Sequence, residues 1–200
     1  MWTAIGIAAL VVALAAAYWF ATGGIPDREP VAWLTAQRIA HRGQWVEGPG
    51  RPENSLAAFD EAAREGNAVE LDVQLTSDGE VVVFHDDDLE RMTGSPGTVS
   101  DMTLAELRPV RLLGGEEGIP TLADALDIIG GRVPVFVEIK NRGDVGELED
   151  SVALLLARYD GDAAVMSFNP YTLARVAEAA PDVPRGQLSS ALRDEDLAFY

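Results

Sequence analysis

No position in this chain of 200 residues is a cysteine, only two are histidines (His41 and His85), and no charged side chain occurs before Asp27. The missing cysteine excludes disulfides, thiol nucleophiles and Cys-ligated zinc. Basic residues are also scarce: 15 Lys and Arg stand against 33 Asp and Glu, a formal net charge of −18. Affinity for nucleic acid comes from neutralising phosphates, so a chain of this sign is not expected to bind nucleic acid. The same field repels small anions, and an anion site would need a local Arg, Lys or metal ion. There is no G-x-G-x-x-G or Walker loop and no internal repeat.

The uncharged N-terminus is itself a feature. Residues 2–22, WTAIGIAALVVALAAAYWFAT, form an apolar run. At ~1.5 Å per residue it reaches roughly 30 Å, the thickness of a bilayer core. Trp2 at one end and Tyr18 and Trp19 at the other suit the two interfaces. A cleaved signal peptide fits less well, because no basic segment precedes the run and no clear small-x-small cleavage site follows it. One transmembrane helix is therefore expected within residues 1–24, followed by a Gly/Pro-containing linker over 25–36 and a catalytic-type domain over 37–200. Arg28, Arg38 and Arg42 all follow the run, which points to a cytoplasmic domain. Asp27 and Glu29 offset that bias, so the side of the membrane stays open.

From residue 37 onward, short apolar runs alternate with amphipathic segments. Strands are expected near 38–41, 68–75, 81–85, 134–139, 163–168 and 185–190. Helices are expected in PENSLAAFDEAAREG, LAELRPV, TLADALDIIG, GELEDSVALLLARY and PYTLARVAEAA, several with a Ser, Thr or Asn cap. Such alternation predicts parallel βαβ units. His41, Asp72, His85, Glu138, Lys140 and Ser167 all fall late in their strands. Polar groups at the ends of several strands match a TIM-type (β/α) barrel better than a doubly wound sheet, which concentrates its site at a switch point.

The strand VELDVQ (69–74) alternates, so Glu70, Asp72 and Gln74 share one face and Val69, Leu71 and Val73 the other. In VFVEIK (135–140), Glu138 and Lys140 share a face in the same way. In a barrel these polar faces point to the axis. Carboxylates crowded in a low dielectric need a proton or a cation to coexist. Glu70, Asp72 and Glu138 together make an oxygen-rich set suited to Mg²⁺ or Ca²⁺. The alternative is that each pairs with a loop Arg or Lys. The two histidines offer proton transfer near neutral pH, and Arg42 and Lys140 are fixed cations able to hold a phosphate.

HRG at 41–43, PENS at 52–55, ELDVQLTSDGEVVVFHD at 70–86, IPTLADAL at 119–126 and VEIK at 137–140, taken together, resemble the glycerophosphodiester phosphodiesterase family. The resemblance extends over about residues 38–190. It implies a TIM-type barrel and hydrolysis of glycerophosphodiesters to an alcohol and glycerol 3-phosphate. It further implies that His41 and His85 are the acid–base pair, that Glu70, Asp72 and Glu138 hold a divalent metal (Ca²⁺ or Mg²⁺), and that Arg42 and Lys140 contact phosphate. A closed barrel has eight strands, so about six implies a C-terminally truncated barrel, a barrel completed by another chain, or a curved open sheet, with an open edge that must find water, a loop or a second copy. Two other functions are weighed beside this one. One is a phospholipase D-like enzyme acting on membrane lysolipids; the other is a non-catalytic membrane-anchored module.

Overall fold

Glu70, Asp72 and Gln74 are all buried on one long strand whose opposite face is wholly apolar, and the architecture follows from how that strand is flanked. The computed structural model describes residues 29–141 and 143–190. Strands run β1 Ile39–Ala40, β2 Ala68–Leu75, β3 Val81–Val83, β4 Val135–Ile139, β5 Ala163–Ser167 and β6 Arg185–Gln187. Helices run α1 Leu56–Arg64, α2 Glu90–Thr93, α3 Leu104–Leu107, α4 Leu122–Ile129, α5 Glu147–Leu156 and α6 Pro170–Ala179. The sheet order is β1-β2-β4-β5-β6, every neighbour parallel. This is an α/β fold with a parallel sheet, consistent with a TIM-like barrel.

The third strand departs from the βαβ expectation. β3 pairs with β2 antiparallel, with Val73 opposite Val83 and Leu75 opposite Val81, and lies off the parallel path. The reason is local. Thr76–Ser77–Asp78–Gly79 closes a tight turn, with Gly79 at φ 82° and the Thr76 amide bonded to the Glu80 carbonyl. A turn that short can join only antiparallel strands, because a parallel return needs a crossover of a dozen or more residues. The parallel sheet of the described residues therefore has five strands, and the sixth is a hairpin arm.

The outward faces of β2, β4 and β5 supply Val69, Leu71, Val73, Val135, Val137, Ile139 and Val165 to the main core, where they meet Phe59, Leu122, Ile129, Val152 and Val176 from the helices. Capping sets where these helices begin. Ser55 accepts from the Ala58 amide at the start of α1, Thr121 forms a capping box with Asp124 at α4, and Asn169 caps α6. A second cluster, including Val82, Phe84, Leu89, Met92, Leu107 and Leu112, gives the long β3–α4 connection a core of its own. At roughly 1.5–3 kcal/mol for each fully buried large side chain, that is enough to hold the connection in one conformation.

The inner faces sort by height. Ala68, Phe136 and Ala164 pack with Trp33, Leu34 and Met166 toward the strand N-termini, and the Trp33 and Phe136 rings lie 5.8 Å apart at 54°. Glu70, Asp72, Gln74 and Glu138 follow toward the C-termini. Part of the expected 25–36 linker is thus a 3-10 helix, Glu29–Thr35, and the compact unit starts at Trp33 rather than 37. The apolar run over 2–22 lies outside the described residues; among those described, no helix is long and apolar enough to cross a membrane.

Gly43 ties β1 to α1. Its φ is 80°, its amide donates to Ala40, and a Cβ placed there would meet the carbonyl carbon and Cβ of Ala58 at 2.9 Å. Both the backbone conformation and the space demand glycine. Gly43→Ala should lower stability by about 1–3 kcal/mol, read as a lowered urea midpoint with an unchanged slope.

Candidate active site

The loop after β1 folds back on itself so that its polar groups reach β2. Arg42 and Asn54 both adopt left-handed backbone, at φ 60° and 55°, and the Asn54 amide donates to the Arg42 carbonyl at 3.0 Å. Non-glycine residues held there store strain, which persists where the surroundings over-determine it. Here they do. The Arg42 amide donates to Glu70 Oε2 at 2.9 Å, and Asn54 Nδ2 donates to Asp72 Oδ2 at 2.9 Å. Both bonds end on the carboxylates of β2.

Register brings in the third acid. Asp72 of β2 lies directly across from Glu138 of β4. One oxygen from each of Glu70, Asp72 and Glu138 lies within 4.8 Å of the others, and all three residues are buried. Burial first, then the charges of Asp72 and Glu138, push the Glu70 carboxyl up to about 8; the Arg42 amide and guanidinium oppose this and lose. Lys140 Nζ sits 2.7 Å from Glu138 Oε1 and 3.2 Å from Asp72 Oδ1, while Arg42 Nε lies 3.5 Å from Asp72 Oδ2. Those pairs are not all hydrogen bonds. Asp72 Oδ1 and Arg42 Nε are buried without a hydrogen-bond partner. A buried carboxylate oxygen without a hydrogen bond, in a cluster of three acids of which one is driven toward its neutral form, is the arrangement a hard divalent cation completes.

His41 follows β1 directly and is exposed, next to Arg42. His85 arrives differently from the expected end of a parallel strand. It lies on the returning arm of the hairpin, where the Phe84 amide bonds the Asp72 carbonyl at 2.9 Å. Gln74 Nε2 donates to the carbonyls of Phe84 and Asp86 at 2.9 and 2.8 Å, so the polar face of β2 also holds the backbone on both sides of His85. Two cavities, of about 490 and 280 Å³, flank Lys140; Gln74 and Asn141 line the first, Ser167 and Asn169 the second.

The structure therefore gathers Glu70, Asp72, Glu138, Arg42 and Lys140 into one contact network, with His41 and His85 on the adjoining loops. The sequence reading offered Asn54 only as an alternative to Ser55 for the helix cap and overlooked it as a contact of Asp72, and it gave no role to Arg91 or to Glu53 and Asp86, which fall inside the PENS and ELDVQLTSDGEVVVFHD motifs. Glu53 accepts from Arg42 Nη1 at 2.9 Å and from Arg91 Nη2 at 2.6 Å. Burial alone would raise its carboxyl, but Arg91 and Arg42 outweigh that and hold it below the ordinary range. A usable signal was present for Glu53, which is a charged residue inside the PENS motif.

Comparison with known proteins agrees with this geometry. Residues 41–198 match the Glycerophosphoryl diester phosphodiesterase family. The chain is 38% identical over 162 residues to the glycerophosphodiester phosphodiesterase of Caldanaerobacter subterraneus subsp. tengcongensis, covering 75% of this chain and 65% of that protein. It is 35% identical over 171 residues to a probable glycerophosphodiester phosphodiesterase 1 of Mycobacterium tuberculosis, covering 73% and 61%. The chain thus spans a little under two thirds of the length of these relatives. Among solved structures, an Oleispira antarctica phosphodiesterase in complex with the product sn-glycerol-3-phosphate superposes with a TM-score of 0.74 at 31% identity, over 82% of this chain and 70% of that one. The enzyme from Agrobacterium tumefaciens gives 0.66 at 28% identity, over 74% and 65%. With a match that begins at the first histidine and takes in every residue of the carboxylate cluster, this chain belongs to the glycerophosphoryl diester phosphodiesterase family.

Proposed function

We propose that the chain carries the active site of a divalent-metal-dependent phosphodiesterase that splits glycerophosphodiesters into an alcohol and glycerol 3-phosphate. The observation that carries this reading is the trio Glu70, Asp72 and Glu138, buried within 4.8 Å of one another. Three acids so placed in an apolar sheet weaken the fold unless a cation is their business. The product bound to the Oleispira antarctica relative is the phosphate expected here.

Glu70, Asp72 and Glu138 would hold the metal, with Ca²⁺ and Mg²⁺ the ions their all-oxygen chemistry suits. When bound, such an ion neutralises phosphoryl oxygens and makes a nearby hydroxyl easier to deprotonate. The chain's own residues do the rest. Lys140 exchanges its carboxylate contacts for a phosphoryl oxygen. Arg42, fixed through Glu53, supplies the second cation, which a chain of net charge −18 needs to hold an anionic ester. One histidine of the pair His41 and His85 takes the proton of the attacking hydroxyl or water, and the other returns a proton to the departing alkoxide.

A second reading, a phospholipase D-like enzyme acting on lysolipids, has one observation in its favour. Trp45, Val46 and Leu113 are exposed and, with Met92, line a cleft of about 170 Å³ that also touches Glu53 and Arg91. Hydrolysis of glycerophosphocholine but not lysophosphatidylcholine supports the first reading, and the reverse preference supports the second. Activity on neither points to a non-catalytic module. Membrane attachment through residues 2–22 is carried with these readings. It predicts that full-length protein sediments with membranes and that a chain lacking 2–22 does not.

Chelation with EDTA should abolish turnover, and Ca²⁺ or Mg²⁺ should restore it; full activity after exhaustive chelation would overturn the metal assignment. Because Glu70 is protonated below about 8, metal binding must expel that proton. Apparent metal affinity should therefore rise from pH 6 to pH 8, with release of roughly one proton per ion, measured by calorimetry in buffers of different ionisation enthalpy. The metal-free fold shows the opposite trend. The folded chain binds a proton at Glu70 that the unfolded chain has lost, so its stability should fall as pH rises from the model carboxylate value of 4.5 toward 8. His41→Ala and His85→Ala should each cut kcat by ~10²–10⁴-fold with the fold intact. A variant that keeps wild-type turnover would remove that histidine from the mechanism.

A further inference from the structure

Outside the carboxylate trio, the densest set of charged contacts is on the β3–α2 side. His85 Nδ1 and Asp86 Oδ1 are 2.7 Å apart. Arg91 grips Asp86 with two donors, Nε to Oδ2 at 2.5 Å and Nη2 to Oδ1 at 3.0 Å. The same guanidinium grips Glu53, with Nη2 to Oε1 at 2.6 Å and Nη1 to Oε2 at 3.3 Å. Glu53 Oε1 also accepts from Arg42 at 2.9 Å. The order His85–Asp86–Arg91–Glu53–Arg42 alternates in charge and joins the loops that carry the two histidines.

Chemistry decides who donates in the first link. Burial would raise the Asp86 carboxyl, but Arg91 first and His85 second hold it down to about 2, so it is ionised at working pH. An ionised carboxylate only accepts. The imidazole proton must then sit on Nδ1, which leaves Nε2 bare in the neutral ring. Gln74 fixes the carbonyls of Phe84 and Asp86, so the backbone that aims both side chains is set by β2. A plain surface ion pair between Asp86 and Arg91 would contribute little. This one is bidentate at both ends and terminates on Glu53, whose side chain is only 10% exposed.

We propose that Asp86 is a positioning residue for His85: its carboxylate keeps the ring proton on Nδ1 and leaves Nε2 as the nitrogen that gains and loses a proton, while Arg91 and Glu53 keep Asp86 in place. The proposal rests on the acid–base role given to His85 above. It also says why Arg91, the second residue of α2, is held by two acids instead of ranging through solvent.

The test uses the full chain and two readouts, one of which does not depend on activity. With only two histidines, side-chain ¹H–¹⁵N spectra assign each ring nitrogen, with His41→Ala to identify the His85 signals. The expected wild-type result is a neutral His85 protonated on Nδ1. Asp86→Ala should mix the tautomers and lower kcat for glycerophosphocholine by about 10²-fold with little change in KM. Asp86→Glu, which keeps a carboxylate acceptor, should retain the tautomer and recover part of kcat, whereas Asp86→Asn, whose amide can turn an N–H toward Nδ1, should not. In a His85→Ala background, Asp86→Ala should cost nothing further, because its effect passes through the ring. An Nδ1-protonated His85 in Asp86→Ala, or an equal penalty in the His85→Ala background, would overturn the proposal. Wild-type protein inactive on phosphodiesters, yet showing the expected tautomer change, would sink the functional reading and leave the positioning intact.

Discussion

Three carboxylates on the inner face of an apolar sheet are the constraint around which this molecule is arranged. Glu70, Asp72 and Glu138 cannot all be ionised and unpaired where they sit. Each neighbouring element answers part of that problem. β1 delivers the Arg42 amide to Glu70, the PENS corner delivers the Asn54 amide group to Asp72, and the end of β4 delivers Lys140, the only lysine in the chain, to Glu138 and Asp72. The answer is incomplete: burial and its acidic neighbours still push the Glu70 carboxyl up to about 8, and Asp72 Oδ1 is left without a hydrogen bond.

Glu149 shows what a finished solution looks like in the same fold. It is fully buried, yet Asn141 Nδ2, Thr172 Oγ1 and the Gly146 amide all donate to it, at 2.6, 2.7 and 2.7 Å. Burial pushes its carboxyl up, and those donors more than offset the push, so it ends below its ordinary value. Its work is to tie the loop after Lys140 to the starts of α5 and α6. Glu70 has one backbone donor and two acidic neighbours instead. The two buried glutamates thus shift in opposite directions, because Glu149 has three donors within reach and Glu70 has one donor and two acidic neighbours. The satisfied one is structural, and the unsatisfied one lies where a cation would complete it.

The hairpin arm and the long connection after it supply the second half of the site. β3 returns along β2 and carries His85 back toward the level of Asp72, and the cluster around Leu89, Met92, Leu107 and Leu112 anchors the chain that follows. Arg91 projects from that anchored segment to Glu53 on the β1 side. Polar groups from separate loops are held at hydrogen-bond distance because each loop rests on packed apolar side chains, which tolerate little movement. The exposed Trp45, Val46 and Leu113 line a cleft with Glu53 and Arg91 at the edge of the same assembly.

Alternation along VELDVQ and VFVEIK is a local property, since successive side chains on any strand point to opposite faces. It was therefore enough to place Glu70 with Asp72 on one face of β2 and Glu138 with Lys140 on one face of β4, their apolar neighbours opposite; the register that sets Asp72 across from Glu138 belongs to the sheet. Caps at Ser55, Thr103 and Thr121 act within one helical turn, so the starts of α1, α3 and α4 were equally legible. What the chain does across distance was not. The direction of β3 depended on a turn too short for a parallel return, a geometric limit that strand propensity does not register. Trp33 packs against Phe136 and Ala68, residues far from it in sequence, on the same side of the sheet as the carboxylates. The partners of Arg42 and Arg91 were settled only when folding brought Glu53, 11 residues from one and 38 from the other in sequence, between them. A guanidinium pairs with whichever carboxylate reaches it, and reach is a property of the tertiary fold.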